Sequence, residues 1–150
     1  MCLAETFSLR PATAADFPKI KALIGQVRIN PTGLDWHHFT VAVNQGGEMI
    51  ACGQLKPVPG GLTELASLAV RPAYRQRGVA RTMIEYLLAA APRPLYLTCR
   101  SGLGGLYEKF GFRALDDEEM PRYYRRLQRL AGLLMELARR GESLLVMKLG

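Results

Sequence analysis

Leu65–Leu88 reads LASLAVRPAYRQRGVARTMIEYLL, and its character changes twice. Leu65, Ala66, Leu68, Ala69 and Val70 are apolar, small or branched, which suits a strand. Arg71-Pro72 ends that run, because proline lacks an N–H and biases the residue before it toward extended backbone. A short basic loop follows, Ala73 to Gly78. From Val79 the apolar positions take helical spacing, Val79, Met83, Ile84, Leu87, Leu88 and Ala91, and Pro92 stops them. The unit is strand, basic glycine-containing loop, helix. The first N–H groups of a helix have no partner inside it, and the helix dipole favours negative charge there. Gly78 can take a positive φ and lets an anion approach the backbone, and Ala80 has almost no side chain to obstruct it. Arg75, Arg77 and Arg81 add full positive charge around the same point. The pattern predicts a phosphate site; the competing reading is an ordinary turn with solvated arginines.

Arg75-Gln76-Arg77-Gly78-Val79-Ala80 also matches the R/Q-x-x-G-x-G/A signature of the GNAT superfamily of N-acetyltransferases, and the lead-in Leu68-Ala69-Val70-Arg71-Pro72 resembles that family too. Further along, Leu106-Tyr107-Glu108-Lys109-Phe110-Gly111-Phe112 matches the family's L-Y-x-K-x-G-F motif. Two motifs in the right order identify the chain as a member, over about Phe7 to Phe112. The resemblance implies a mixed α/β fold: a mostly antiparallel central sheet flanked by helices. It also implies that residues Arg75 to Arg81 wrap the pyrophosphate of acetyl-coenzyme A, the cosubstrate. Neither a G-x-G-x-x-G fingerprint nor a Walker loop occurs at this turn.

Composition fits one domain over residues 1–150. The chain is 49% hydrophobic and 22% charged, with net charge +7. That charge suits an anionic ligand but equally suits nucleic acid or acidic protein, so it does not choose. No apolar run is long enough for a bilayer, and MCLAETFSLRPA lacks a signal-peptide pattern, so no membrane association and a cytoplasmic setting are expected. Cys2, Cys52 and Cys99 are scattered and odd in number, against a disulfide framework or a zinc site. Cys52 and Cys99 fall in strand-like runs and read as buried core residues.

The rest of the chain falls into place around the central unit. Phe7–Arg10 reads as a first strand. Thr13 and Asp16 form a capping box, and Phe17, Ile20, Leu23, Ile24 and Val27 mark a helix face. Asn30 to Gly33 is loop, and Trp36-His37-His38 reads as partly exposed structure rather than a metal pair. Phe39–Asn44, Met49–Leu55 and Thr63–Val70 are three consecutive antiparallel strands, with Pro57 to Gly61 as loop. Pro94–Thr98 follows the helix and is expected parallel to the central strand. Leu103, Leu106, Tyr107 and Phe110 suggest a helix closed by Gly111. A further helix over Arg122–Arg140 carries the stripe Tyr123, Leu127, Leu130, Leu134, Leu137 and Ala138, and Ser143–Leu149 is a last strand. This added helix before the last strand departs from many relatives. It reads as packing on the sheet, or as a wall of the acceptor pocket.

The reaction that the resemblance implies is attack by a primary amine on the thioester of acetyl-coenzyme A. Glu64 lies at the position of the general-base glutamate of some relatives. Partial burial beside apolar strands would raise its pKa toward neutral. A surface ion pair, or deprotonation through water, competes with that role. Tyr107 matches the motif tyrosine that serves relatives as general acid to the departing thiolate; a packed aromatic is its plain alternative. The resemblance places the pantetheine arm along the edge of a bulged central strand, bonded near Leu68, Ala69 and Val70. Where relatives often have a cofactor-binding asparagine, this chain has Arg100. The acceptor, a small molecule or a peptide amine, is unreadable, as is the oligomeric state, a homodimer included. A non-catalytic coenzyme A-binding module is the alternative function. Nucleic-acid binding through Arg122, Arg125, Arg126 and Arg129 ranks last.

Overall fold

The computed structural model describes residues 6–133 and 141–150. Among the described residues, seven strands and four α-helices follow in the order β1 (Phe7–Pro11), α1 (Phe17–Val27), β2 (Phe39–Asn44), β3 (Met49–Val58), β4 (Leu62–Val70), α2 (Val79–Ala90), β5 (Leu95–Arg100), α3 (Gly104–Glu108), β6 (Arg113–Ala114), α4 (Arg122–Leu133) and β7 (Leu144–Leu149). The strand order is β1-β2-β3-β4-β5-β7-β6. Pairing is antiparallel for β1 with β2, β2 with β3, β5 with β7 and β6 with β7, and parallel for β4 with β5. The mixed, mostly antiparallel sheet with helices between its strands is the architecture expected from the sequence. Two compact units can be distinguished, Met1–Lys56 with Leu65–Ala91, and Pro57–Glu64 with Pro92–Gly150.

In the first unit the alternation of β3 separates two helix-bearing faces. Cys52 joins Ile20, Leu23 and Ile24 of α1 in one core cluster with Phe39, Val41 and Ala69. The next residue, Gly53, points the other way. A Cβ placed there would lie 3.1 Å from Leu87 Cδ1 and 3.6 Å from Met83 Cγ, so its lack of a side chain lets α2 sit close. The entry to α1 is the capping box expected. The Asp16 carboxylate accepts the Thr13 N–H at 2.7 Å and a bidentate pair from Arg10 at 2.7 and 3.0 Å. These bonds, the Arg10 pair foremost, hold the Asp16 carboxyl well below its usual range against the opposing effect of burial.

In the second unit β5 is the hub. It pairs with β4 through Thr63↔Leu95 and Glu64↔Tyr96, and with β7 along its whole length, Leu95↔Leu149 to Arg100↔Leu144. Tyr96 and Val146 share one face with Val58, Leu115, Met120 and the fully buried Tyr124 of α4. On the opposite face Gly104 of α3 lies against Leu145, where a Cβ would come within 2.8 Å of Cδ1.

Three local expectations need correction. Strand β3 continues through Pro57 to Val58 instead of giving way to loop at Pro57. Val58 is buried in the second unit's cluster, and that packing overrides the turn character of its prolines and glycines. The helix expected from Leu103 to Phe110 is a 3₁₀ turn, Ser101–Leu103, and a five-residue α3. Leu106 is exposed, and the buried positions are Gly104 and Phe112. In α4 the buried anchor is Tyr124, which the expected stripe omitted, while Leu130 is 57% exposed. Leu134, Leu137 and Ala138 lie outside the described residues.

Candidate active site

The basic loop leaves β4 through a 3₁₀ turn, Pro72–Tyr74, and enters α2 at Gly78. Two of its residues adopt the left-handed region, Gln76 at φ 62° and Gly78 at φ 79°. Arg75 before them is extended, so the backbone turns from negative to positive φ twice before α2 begins. A Cβ at Gly78 would meet nothing within 4 Å, so the glycine answers a backbone demand and not a crowded neighbour. The first α2 ladder bond runs from Thr82 N–H to Gly78 O at 3.0 Å. The N–H groups of Val79, Ala80 and Arg81 therefore precede the ladder. Arg75, Gln76, Arg77, Gly78 and Arg81 are exposed and Ala80 half-buried. Val79 is buried, so its side chain serves the core and only its backbone faces the loop.

This loop is braced from within its own unit. The Tyr74 hydroxyl accepts from Asn44 Nδ2 at 3.1 Å, and the Arg77 guanidinium lies 5.6 Å from the centre of the Tyr74 ring. Arg81 pairs with Glu85 at 3.1 Å on the helix surface. Arg75, Arg77 and Arg81 are thus exposed residues flanking the helix start in sequence, where positive charge adds to the partial charge of the first N–H groups.

The central strand is irregular where the sequence led one to expect it. Ser67 sits at φ 55° in the middle of β4, and Ala66, Ser67 and Leu68 are only half-buried, whereas Ala69 and Val70 are buried. Gln54, fully buried on β3, donates from Nε2 to Ser67 Oγ at 2.8 Å and to the Gly33 carbonyl at 3.3 Å. Cys52 Sγ donates to the Ser67 carbonyl at 3.7 Å. A non-glycine residue at positive φ costs energy and persists only where neighbours over-determine it. Gln54 is such a neighbour, and sequence reasoning missed it. The one available signal was a polar residue within the apolar run of β3.

In the second unit Glu64 is buried, 6% exposed, on β4 directly opposite Tyr96. Tyr123 and Tyr124 both lie within reach of this carboxylate's charge; burial, together with that charge, raises their phenols above the ordinary tyrosine value. Glu64 is therefore no exposed strand-end carboxylate. Tyr107 on α3 is half-buried and meets Phe112 edge-on at 6.2 Å. Burial, reinforced by Cys99, pushes its phenol above the ordinary tyrosine value, so it keeps its proton at neutral pH. Arg100 is exposed at the end of β5, its Nη1 3.9 Å from Glu142. His37 and His38 are held at Asp35, with His37 Nδ1 2.6 Å from Asp35 Oδ1 and its ring stacked on Trp36. No group of metal-ligating side chains occurs among the described residues, and none of their helices is long and apolar enough to cross a membrane.

A sequence model of a family described as Acetyltransferase (GNAT) family matches residues 8–112. No curated protein sequence matches the chain. Among solved structures, N-acetylglutamate synthase from Neisseria gonorrhoeae, complexed with coenzyme A and N-acetyl-glutamate, is 22% identical with a TM-score of 0.73; the match covers 97% of this chain and 35% of that one. Rv2747 from Mycobacterium tuberculosis, in complex with CoA and NLQ, is 20% identical with a TM-score of 0.68, over 93% of this chain and 97% of that one. Escherichia coli ElaA is 13% identical with a TM-score of 0.69, over 97% and 100%. The chain thus spans about a third of the gonococcal synthase.

Proposed function

The chain belongs to the acetyltransferase (GNAT) family, and from that footing we propose that it is an N-acetyltransferase that moves the acetyl group of acetyl-coenzyme A to a primary amine. The observation that carries this reading is the loop from Arg75 to Arg81, with left-handed Gln76 and Gly78 at the start of α2 and exposed Arg75, Arg77 and Arg81 within it. In the reading, this loop takes the pyrophosphate, and the β4 backbone from Leu68 to Val70 takes the pantetheine arm as an added strand.

The transfer is direct attack within a ternary complex. Glu64 accepts a proton from the acceptor's ammonium, which frees the nitrogen lone pair. The nitrogen attacks the thioester carbonyl carbon while a backbone N–H near Val70 stabilises the developing oxyanion. The carbon–sulfur bond then breaks as Tyr107 gives its proton to the departing thiolate, and the second proton, shed by the nitrogen as it becomes an amide, returns through water to the Tyr107 phenolate. The products are the amide and coenzyme A. The solved complexes of two neighbours, one with N-acetyl-glutamate and one with NLQ, favour the α-amine of an amino acid as acceptor. The net charge of +7 suits an acceptor bearing carboxylates.

The test is a thermal-shift titration with acetyl-coenzyme A, with ATP as the anionic control. A ligand that binds only the native state, at a hundred times its dissociation constant, adds about 2.7 kcal/mol. A rise with acetyl-coenzyme A and little with ATP is expected, followed by thiol release when L-glutamate and other primary amines are screened. Equal shifts with both ligands would indicate a generic anion site. Binding without thiol release from any amine would favour a non-catalytic coenzyme A module. No binding by calorimetry would overturn the reading.

A further inference from the structure

Glu64 is enclosed by tyrosines from two elements of its own unit. β4 and β5 run parallel with Glu64 and Tyr96 as Cα partners, so the two side chains leave the sheet on the same face. The Tyr96 ring stacks on Tyr124 of α4 at 5.4 Å and 26°, and Tyr124 meets Tyr123 edge-on at 4.9 Å and 71°. Tyr124 is wholly buried, while Tyr123 is half-buried. Leu62, two residues before Glu64 on the same strand face, packs against the same apolar cluster with Val58, Met120 and Val146. Among the described residues, the titratable groups near the carboxylate include Tyr96 from β5 and Tyr123 and Tyr124 from α4.

A carboxylate in such surroundings loses most of its hydration, which disfavours its charge; a hydrogen bond donated to it restores the balance. The Tyr124 hydroxyl is buried and has no hydrogen-bond partner among the described residues, so its proton is available to donate. Burial first, and the adjacent Glu64 charge second, hold its proton on the phenol oxygen.

We propose that α4 serves the transfer reaction through Tyr124, a positioning residue whose hydroxyl donates to the Glu64 carboxylate, fixes its direction and keeps it ionised, with Tyr96 holding the Tyr124 ring. This rests on the reading of Glu64 as the base. The proton balance is simple. Glu64 receives the acceptor's ammonium proton and later releases it to water, while the O–H bond of Tyr124 stays intact throughout. The helix that departs from many relatives thereby gains a task beyond covering the sheet.

The experiment titrates the carboxyl carbons of ¹³C-labelled glutamates by NMR in the full chain, with Glu64→Gln identifying the Glu64 resonance by its loss. In Tyr124→Phe, which keeps the ring and removes only the hydroxyl, the Glu64 midpoint should rise by roughly one pH unit or more. In Tyr123→Phe it should move less. With acetyl-coenzyme A and L-glutamate as the probe pair, the acid limb of kcat/KM should move up by the same amount in Tyr124→Phe. An unchanged Glu64 midpoint in folded Tyr124→Phe overturns the proposal. Should that variant not fold, the ring-carbon shifts of Tyr124 in the unsubstituted protein decide: they should follow the Glu64 midpoint, and independence from it overturns the proposal. Full turnover in Glu64→Gln with the same acid limb would remove Glu64 as base, and the carboxyl titration would still judge the Tyr124 contact by itself.

Discussion

At the scale of single residues, chemistry and burial pull the same side-chain types in different directions. Tyr107 and Tyr124 are both phenols whose protons are held by burial, but Tyr107 is only half-buried on a short helix and Tyr124 is entirely enclosed. In the proposed transfer Tyr107, the less enclosed of the two, is the one assigned to give up a proton. Tyr107→Phe should lower kcat about a hundredfold and leave the acetyl-coenzyme A thermal shift intact; a fall in binding alone would instead mark a packing role. Because its phenol lies above the usual value, loss of the Tyr107 proton should not depress the rate between neutrality and pH 9 or so. Cys52 illustrates the opposite case. Burial pushes its thiol up to about 12, and the residue is fully buried. Iodoacetamide at pH 8 should therefore label Cys52 only after unfolding, as read by peptide mass spectrometry, and rapid labelling of the native protein would contradict the burial.

At the scale of elements, helix starts do most of the positioning. α1 is launched by Asp16, which takes the Thr13 N–H and both nitrogens of Arg10. Asp16→Ala should cost about 1–2 kcal/mol of unfolding free energy at pH 7. The Arg10 share of that is reduced by its 43% side-chain exposure. The sign with pH is fixed by the depressed carboxyl. The contribution is complete above the unfolded carboxylate value of about 3.9 and fades as pH falls below it. Urea unfolding at pH 7 and pH 3 should show the gap between the two proteins narrowing in acid; a constant gap would assign the effect to helix propensity alone. α2 starts differently, on a left-handed glycine with its first N–H groups open. The contrast is between a helix capped by its own side chains and one that is not, and the proposed pyrophosphate contact belongs to the second. For α4, the pairing of two adjacent tyrosines hid the phase. Tyr123 fits the leucine stripe by spacing, yet Tyr124 enters the core, because the Tyr96 ring on β5 offers it a stacking partner.

At the scale of the whole molecule, the C-terminal strand should matter more than its length suggests. β7 pairs with β5 from Leu95↔Leu149 to Arg100↔Leu144 and carries β6 on its other edge. Removing residues 142–150 leaves β5 with only Thr63↔Leu95 and Glu64↔Tyr96 as paired positions. Amide exchange in β5 should then become as fast as in unfolded chain, and retained protection would show that β7 is dispensable to it.

Much of this was written in the sequence. The strand, basic loop and helix of Leu65–Leu88, the capping box at Thr13 and Asp16, the antiparallel run from Phe39 to Val70 and the parallel step to β5 follow from local rules. Period, proline and glycine placement and capping chemistry act over a few residues, so a linear reading captures them. The residues that adjust the site were not legible in that way. Gln54 bracing Ser67, Tyr124 stacking on Tyr96 beside Glu64 and Val58 carrying β3 past Pro57 all depend on partners distant in the chain. Whether a glutamate at the start of a strand is solvated or enclosed is decided by what packs over it, and a sheet face brings together residues that no spacing in one segment can relate. Sequence determined the elements and the left-handed basic turn at the start of α2, because those are set by backbone conformation and local charge. Tertiary structure alone decided the surroundings of Glu64, because burial is a property of neighbours.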